Sequence, residues 1–229
     1  MIDGALGMAY GVTATTFLLS FGISPAASSA SVHASEVFTS GVSGLMHLKF
    51  GNVNNKLFKS LLIPGVIGAI LGAYILSSFE HYNYIVKPLV SGYTLILGVV
   101  ILAKAIRKDK IRQRIKRLFP LALVGGFLDS IGGGGWGPIV SSTLIARGRN
   151  PRYTIGSVNL AEFFIALSSS LTFVTLIGLT HWAIIIGLII GGVIAAPIAA
   201  YLANKIPAKT IMILVGIVVI ILSLKRLFF

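Results

Sequence analysis

The chain of 229 residues predicts an all-α polytopic membrane protein, on three observations. Charged side chains make up 11% of the residues and mean hydropathy is +0.94. Soluble domains carry about 25% charged residues, so too few charges remain here to cover a water-facing surface. Apolar runs at 61–77, 90–103, 161–179 and 182–202 are nearly or wholly free of charge. They approach or reach the ~20 residues that cross a ~30 Å hydrocarbon core. Their continuity excludes an outer-membrane barrel, which needs short alternating strands. Third, the chain repeats itself.

Residues 7–36, GMAYGVTATTFLLSFGISPAASSASVHASE, align without gaps on 133–162, GGGWGPIVSSTLIARGRNPRYTIGSVNLAE, at an offset of 126. Eight of the 30 positions are identical, pairing Gly7, Gly11, Leu18, Gly22, Pro25, Ser31, Val32 and Glu36 with Gly133, Gly137, Leu144, Gly148, Pro151, Ser157, Val158 and Glu162. Tyr10 stands opposite Trp136, and Thr15 and Thr16 opposite Ser141 and Ser142. The likeness continues at offset 127, where GVI at 65–67 recurs at 192–194 and Tyr74 matches Tyr201. Such self-similarity marks a duplicated unit. The expected organisation is a first repeat over 1–103, a basic cytoplasmic linker over 104–117 and a second repeat over 118–229, within one integral membrane domain.

Taken in order, each unit begins with a Gly-rich segment, about 2–20 and 118–147, and continues with three spans. Those of the first unit lie near 28–49, 57–78 and 84–104, those of the second near 153–179, 182–203 and 207–228. The start, Met1-Ile2-Asp3-Gly4, lacks the basic region of a cleavable signal, so the first apolar segment is expected to be retained. The linker holds eight of the 19 basic residues and one acid, Asp109. Ile111, Ile115 and Leu118 recur there at helical spacing, which suits an amphipathic surface helix.

The first segments decide how the two units face each other. Four consecutive glycines, Gly132 to Gly135, interrupt the second one, and glycine costs roughly 1 kcal/mol relative to alanine inside a helix. Unbroken, a helix over 118–147 would be about 45 Å long; split at the glycines, it gives arms of roughly 21 and 18 Å. Such arms are too short to cross and suit a re-entrant hairpin. If both first segments cross fully, the repeats run parallel and the 19 basic residues divide thirteen to six between the faces. If both dip in and return, the repeats are inverted and the division is sixteen to three. The positive-inside rule prefers the inverted arrangement.

Interrupted helices in transporters commonly hold substrate near the midplane. Gly132, Gly133, Gly134 and Gly135 would expose backbone N–H groups, and a helix restarting near Trp136-Gly137-Pro138 would turn its positive end toward them, making an anion cradle. A tight turn without a ligand is the other reading of the same glycines. Ser130, Ser141, Ser142, Thr15, Thr16, Ser31, Ser157 and Asn159 are candidate substrate hydroxyls and amides, or groups bonding back to their own helices. Glu36 and Glu162 occupy equivalent positions, and intramembrane carboxylates face a cavity or a partner. They are candidate coupling groups, with a cap on a broken helix as the alternative. His33, opposite Asn159, is the third coupling candidate, since imidazole titrates near neutral pH. A lone intramembrane histidine gives no metal site, and zero cysteines remove disulfides and thiolate chemistry. No cofactor is expected. Nucleic acid is not an expected partner despite the net charge of +13, because the charge is concentrated beside the membrane. Asp129 precedes the glycines; Arg147, Arg149 and Arg152 follow them as topology determinants or anion recruiters. A membrane-embedded enzyme is disfavoured, since no two of the six acids lie close enough in sequence to form a metal motif.

The stretch GGFLDSIGGGGWGPIVSSTLIARGRNPRYTIGSVNLAEFF, residues 125–164, resembles the TauE/SafE family of sulfite and organosulfonate exporters, as do the duplication and the SxxxxE element at Ser31–Glu36 and Ser157–Glu162. The resemblance covers essentially the whole chain. It implies a multi-pass secondary carrier of small sulfur-containing anions in a bacterial inner membrane, working by alternating access, with a passive anion channel on the same scaffold as the alternative.

Overall fold

The computed structural model describes residues 9–106, 117–203 and 208–228. Most of the basic linker, with Ile111 and Ile115, lies outside the described residues, as do Gly4, Gly7 and Lys205.

Helices carry the described chain. The first half comprises α1 (Tyr10–Ser20), α2 (Pro25–Lys49), α3 (Asn55–Ser78) and α4 (Asn83–Ile106), with a short 3₁₀ turn, Glu80–Tyr82, before α4. In the second half, α5 (Leu118–Gly132) stops at the glycines. The chain restarts as a π turn, Gly137–Ser141, that runs into α6 (Ser142–Ala146), followed by α7 (Pro151–Leu176), α8 (Trp182–Ala203) and α9 (Ala208–Phe228). The repeat therefore appears as matching elements. α1 corresponds to 136–146, α2 to α7, α3 to α8 and α4 to α9. Proline opens both long central helices, where its missing N–H costs little. The residue before each supplies the cap, Ser24 Oγ accepting from Ala27 N–H and Asn150 Oδ1 from Arg152 N–H.

The packing is that of a protein in lipid. Helices Asn55–Ser78 and Pro151–Leu176, and the stretch Glu80–Ile106, are long and apolar enough to cross a membrane. On α3 the large side chains Ile63, Ile67, Ile70, Leu71 and Tyr74 face outward, while Gly65, Gly68, Ala69, Gly72 and Ala73 are buried. This small-residue stripe lets α5 lie almost on the α3 backbone: a methyl on Gly68 would sit 2.9 Å from Phe127 N. Close backbone approach through small residues is how helices associate where lipid removes the hydrophobic incentive. α2 is different. It buries Ser28, Ser29, Ser31, His33, Ser35, Glu36 and Ser40, so the most polar of the long helices is enclosed by the others.

Two pairs of equivalent helices lie against each other in opposite directions. Along α2 and α7, a methyl on Gly44 would lie 3.0 Å from Leu160 Cα, and one on Gly41 3.1 Å from the Phe163 ring. Asn159 Nδ2 donates to Ser43 Oγ at 2.9 Å. Farther along, the His33 and Phe173 rings are 6.2 Å apart. As α2 ascends, α7 descends. The same holds for α4 and α9, where Gly98 meets Val219 and Ile220 while Thr94 Oγ1 bonds Ser223 Oγ at 2.9 Å. The two arms of the interrupted segment end beside each other: Leu118 and Leu121 of α5 pack into the cluster that holds Leu57, Leu61, Trp136, Val140 and Leu144.

Candidate functional site

The site forms where the start of α1 meets the interrupted segment of the second half. α1 begins after Ala9, whose φ is 82°. α5 ends at Gly133 and Gly134, with φ of 61° and 150°, angles that L side chains rarely adopt. The start of α1 faces this break. A methyl on Gly11 would sit 2.7 Å from Gly133 O, 2.8 Å from Gly134 Cα and 2.7 Å from Glu36 Oε1. Thr15 Oγ1 donates to Gly133 O across the junction at 2.7 Å.

Asp129 organises this junction. Its backbone carbonyl takes the N–H of Gly134 at 2.9 Å, and its Oδ1 accepts the Trp136 N–H at 2.8 Å. The positive end of the restarted helix is therefore already met by a carboxylate from the chain itself, a favourable placement for negative charge. Its other oxygen, Oδ2, lies 3.2 Å from His33 Nε2. The donor and acceptor atoms of His33, Glu36 and Asp129 lie within 4.8 Å of one another, and all three residues are buried.

His33 Nδ1 lies 2.8 Å from the Ser29 carbonyl oxygen and 3.2 Å from Ser29 Oγ, and Ser29 Oγ reaches Ser130 O at 2.6 Å. Both ring nitrogens of His33 therefore have polar neighbours, and α2 is tied to the end of α5.

Each residue singled out from the sequence has a definite place. Gly132 and Gly135 lie against Tyr93 of α4, Gly133 against Thr15, and Gly134 against Gly11 and Val12. Ser130 Oγ bonds Ser169 Oγ of α7 at 2.6 Å. Thr16 and Ser31 bond carbonyls of their own helices, Val12 O at 2.6 Å and Ala27 O at 2.7 Å. Ser157 accepts the Asn54 N–H at 2.8 Å and so ties α7 to the start of α3. Ser142 donates to Pro138 O. Ser141 Oγ and Asn159 Oδ1 are buried with no hydrogen-bond partner among the described residues. Glu162 is buried like its counterpart Glu36. The fold thus gathers Gly133, Gly134, Thr15, Ser130, His33 and Glu36 at one junction. Ser31 and Ser157 belong to opposite ends of the molecule.

Three participants carried no sequence signal strong enough to select them. Asp129 reaches the Trp136 N–H seven positions on, across the glycines. Tyr93 arrives from α4, its hydroxyl buried beside Gly135. Lys104, counted with the linker charges, reaches inward instead: Nζ donates to Pro138 O at 2.8 Å and to Ser142 Oγ. The π turn explains this contact, because widening the helix frees carbonyls from their usual donors.

The family model "Sulfite exporter TauE/SafE" matches residues 1–226. A "Probable membrane transporter protein YtnM" of Bacillus subtilis (strain 168) is 43% identical over 237 residues, covering 99% of this chain and 78% of that relative. No solved structure matches.

Proposed function

This chain belongs to the sulfite exporter TauE/SafE family, a family of membrane transporters rather than enzymes, and from that premise we propose that it moves a small sulfur-containing oxyanion by proton-coupled alternating access. The observation that carries the reading is the buried His33–Asp129 pair with Glu36 beside it, set where the start of α1 meets the glycine break after α5. Asp129 sits where an anion cradle would hold its ligand. A proton delivered to Asp129 during the transport cycle would neutralise this carboxylate and weaken its hold on the Trp136 N–H, leaving that helix end to an incoming oxyanion. The amides of Gly132 to Gly135 and the hydroxyls of Thr15, Ser130 and Ser141 then form its surroundings, with Thr16, Ser142, Ser31, Ser157 and Asn159 supporting the helices that carry them. Glu36 and His33 handle the proton on one side, and Glu162 does so in the other repeat.

Inverted repeats follow from the same reading. The opposed directions of α2 against α7 and of α4 against α9 support a pseudo-two-fold axis in the membrane plane, with 1–103 and 118–229 as the two units and 104–117 joining them. The shared packing of Leu118 and Leu144 near Leu57 supports a segment that enters and leaves on one face. With sixteen basic residues on that face and three on the other, it is the cytoplasmic one.

Purified protein in liposomes should take up sulfite or an organosulfonate saturably, and an imposed pH gradient should drive the uptake above equilibrium. Absence of saturable flux for both anions would defeat the proposal.

A further inference from the structure

At the end of the molecule where α6 finishes, a cavity of about 530 Å³ opens between the two repeats. Arg147 and Arg149 line it, together with Asn54, Asn150, Tyr153 and Thr154. Two long helices begin at its wall, α3 after Asn54 and α7 after Asn150, so two positive dipole ends converge on the space already bordered by two guanidinium groups. None of the four described carboxylates, Glu36, Glu80, Asp129 and Glu162, lines it. Arg152, grouped with the other arginines in the sequence, is separated from them here. Its Nε is held by Asn52 Oδ1, its guanidinium donates to Phe50 O at 3.3 Å, and it lies 5.8 Å from the Tyr153 ring centre. Arg152 is a wall support, whereas Arg147 is exposed and its guanidinium makes no hydrogen bond or ion pair with any described residue.

The opposite end of the molecule has a different character. A polar cavity there is about 70 Å³ and includes Glu80 beside Ser31 and His181, and a cavity of about 460 Å³ beside Phe79, Tyr82 and Tyr84 is lined almost wholly by apolar side chains. The wide cavity at the first end is cationic, whereas the polar one at the second is narrow and includes a carboxylate. Arg147 lies eleven positions after Trp136, which places the wide mouth about 16 Å along the helical arm from the Asp129 junction.

We propose that this cavity is a capture site for a small oxyanion from solution, from which substrate passes to the junction. The assignment rests on the transport reading given above and makes entry asymmetric, with anions gathered on the arginine face. The ligand chemistry, an oxygen-rich monoanion or dianion, is shared by a phospholipid headgroup, so the test must separate the two sources.

The absence of cysteine in the chain makes Arg147→Cys a clean probe at an exposed, unpartnered position. In phosphatidylcholine vesicles, its KM for sulfite presented on the arginine face should rise about tenfold, the loss expected for one charge-assisted contact. Maximal rate should hold, and KM from the other face should not change. An impermeant cationic thiol reagent applied to the arginine face should restore the lost affinity, and an anionic one should not. Equal effects of the two reagents, an unchanged KM, or a shift seen only when phosphatidylglycerol is present would overturn the proposal. If the wild-type protein moves no sulfite at all, the transport reading fails alone. Equilibrium binding of radiolabelled sulfite to purified protein, with the same variant and reagents, then still decides whether the cavity holds an oxyanion.

Discussion

Replacing Asp129 separates its structural role from its chemical one. The carboxylate satisfies two buried donors, the Trp136 N–H at 2.8 Å and the His33 imidazole at 3.2 Å. Leaving one buried donor unpaired costs about 1–3 kcal/mol, so Asp129→Ala should lose about 2–6 kcal/mol. Asparagine is nearly isosteric. Its carbonyl can accept from Trp136, and its amide can donate to Nε2 of a neutral His33 whose Nδ1 still bonds Ser29 O. Asp129→Asn should therefore fold within about 1 kcal/mol of the wild type while holding no exchangeable proton in the pair. Chemical denaturation in detergent, followed by circular dichroism, reads the stability. Sulfite flux in vesicles, with and without a pH gradient, reads the chemistry. The expected pattern is a destabilised alanine variant and a stable asparagine variant whose flux ignores the gradient. An alanine variant as stable as the wild type, or an asparagine variant that remains pH-driven, would refute the reasoning.

Other expectations follow from the same geometry. Gly134→Ala should cost at least about 2 kcal/mol, since it strains a φ of 150° and drives a methyl into Gly11 and Val12; Gly92→Ala, with open space around it, should be neutral or stabilising by up to about 1 kcal/mol. Denaturation midpoints compare the two directly. Thr15→Val keeps the shape but removes the bond to Gly133 O, and should cost about 1 kcal/mol while slowing flux. Ser24→Ala removes the cap of α2 and should cost about 1 kcal/mol with KM unchanged, a stability loss without a transport phenotype. A reporter fused after Phe229 should report the face opposite the 104–117 linker; a cytoplasmic signal would rule out inverted repeats.

The amount of structure legible in the sequence depends on how local its cause is. Spans read from hydropathy alone, such as 57–78 and 182–203, match Asn55–Ser78 and Trp182–Ala203 closely, because length and apolarity are set by the bilayer. Pro25 and Pro151 marked the starts of α2 and α7, because a proline at the first helical position acts through its own ring. The glycines were visible as a break. Their partners were not: the Tyr93 ring beside Gly132, the Thr15 hydroxyl on Gly133 and the Gly11 backbone on Gly134 come from elements 39 to 123 residues away in sequence. Asp129 shows the limit most clearly. Its neighbours in sequence give it the look of a residue at the end of an apolar helix, and only the folded chain turns its carboxylate onto Trp136 and His33.

The placement of polarity follows from the duplication. A bilayer offers no solvent for a buried serine or glutamate, so a helix as polar as α2 must be enclosed by protein. Here its principal partner is its own counterpart, α7, which carries Asn159, Glu162 and Ser169 at buried positions. Two copies of a helix too polar to face lipid bury each other. That pairing brings each copy's interrupted neighbour to the same depth, because α1 and 136–146 are fixed to their long helices by short turns ending at Pro25 and Pro151. The break at the glycines needs backbone partners there, and α1 helps to supply them: Thr15 satisfies Gly133 O, and Gly11 leaves room for Gly134. What the second copy adds beyond symmetry is charge. His33 has Asn159 as its counterpart, and the glycines at 132, 134 and 135 stand opposite Leu6, Met8 and Ala9. The imidazole of the first repeat therefore meets the Gly-rich break of the second, giving a buried imidazole–carboxylate pair between His33 and Asp129 that Asn159, the counterpart of His33, could not form.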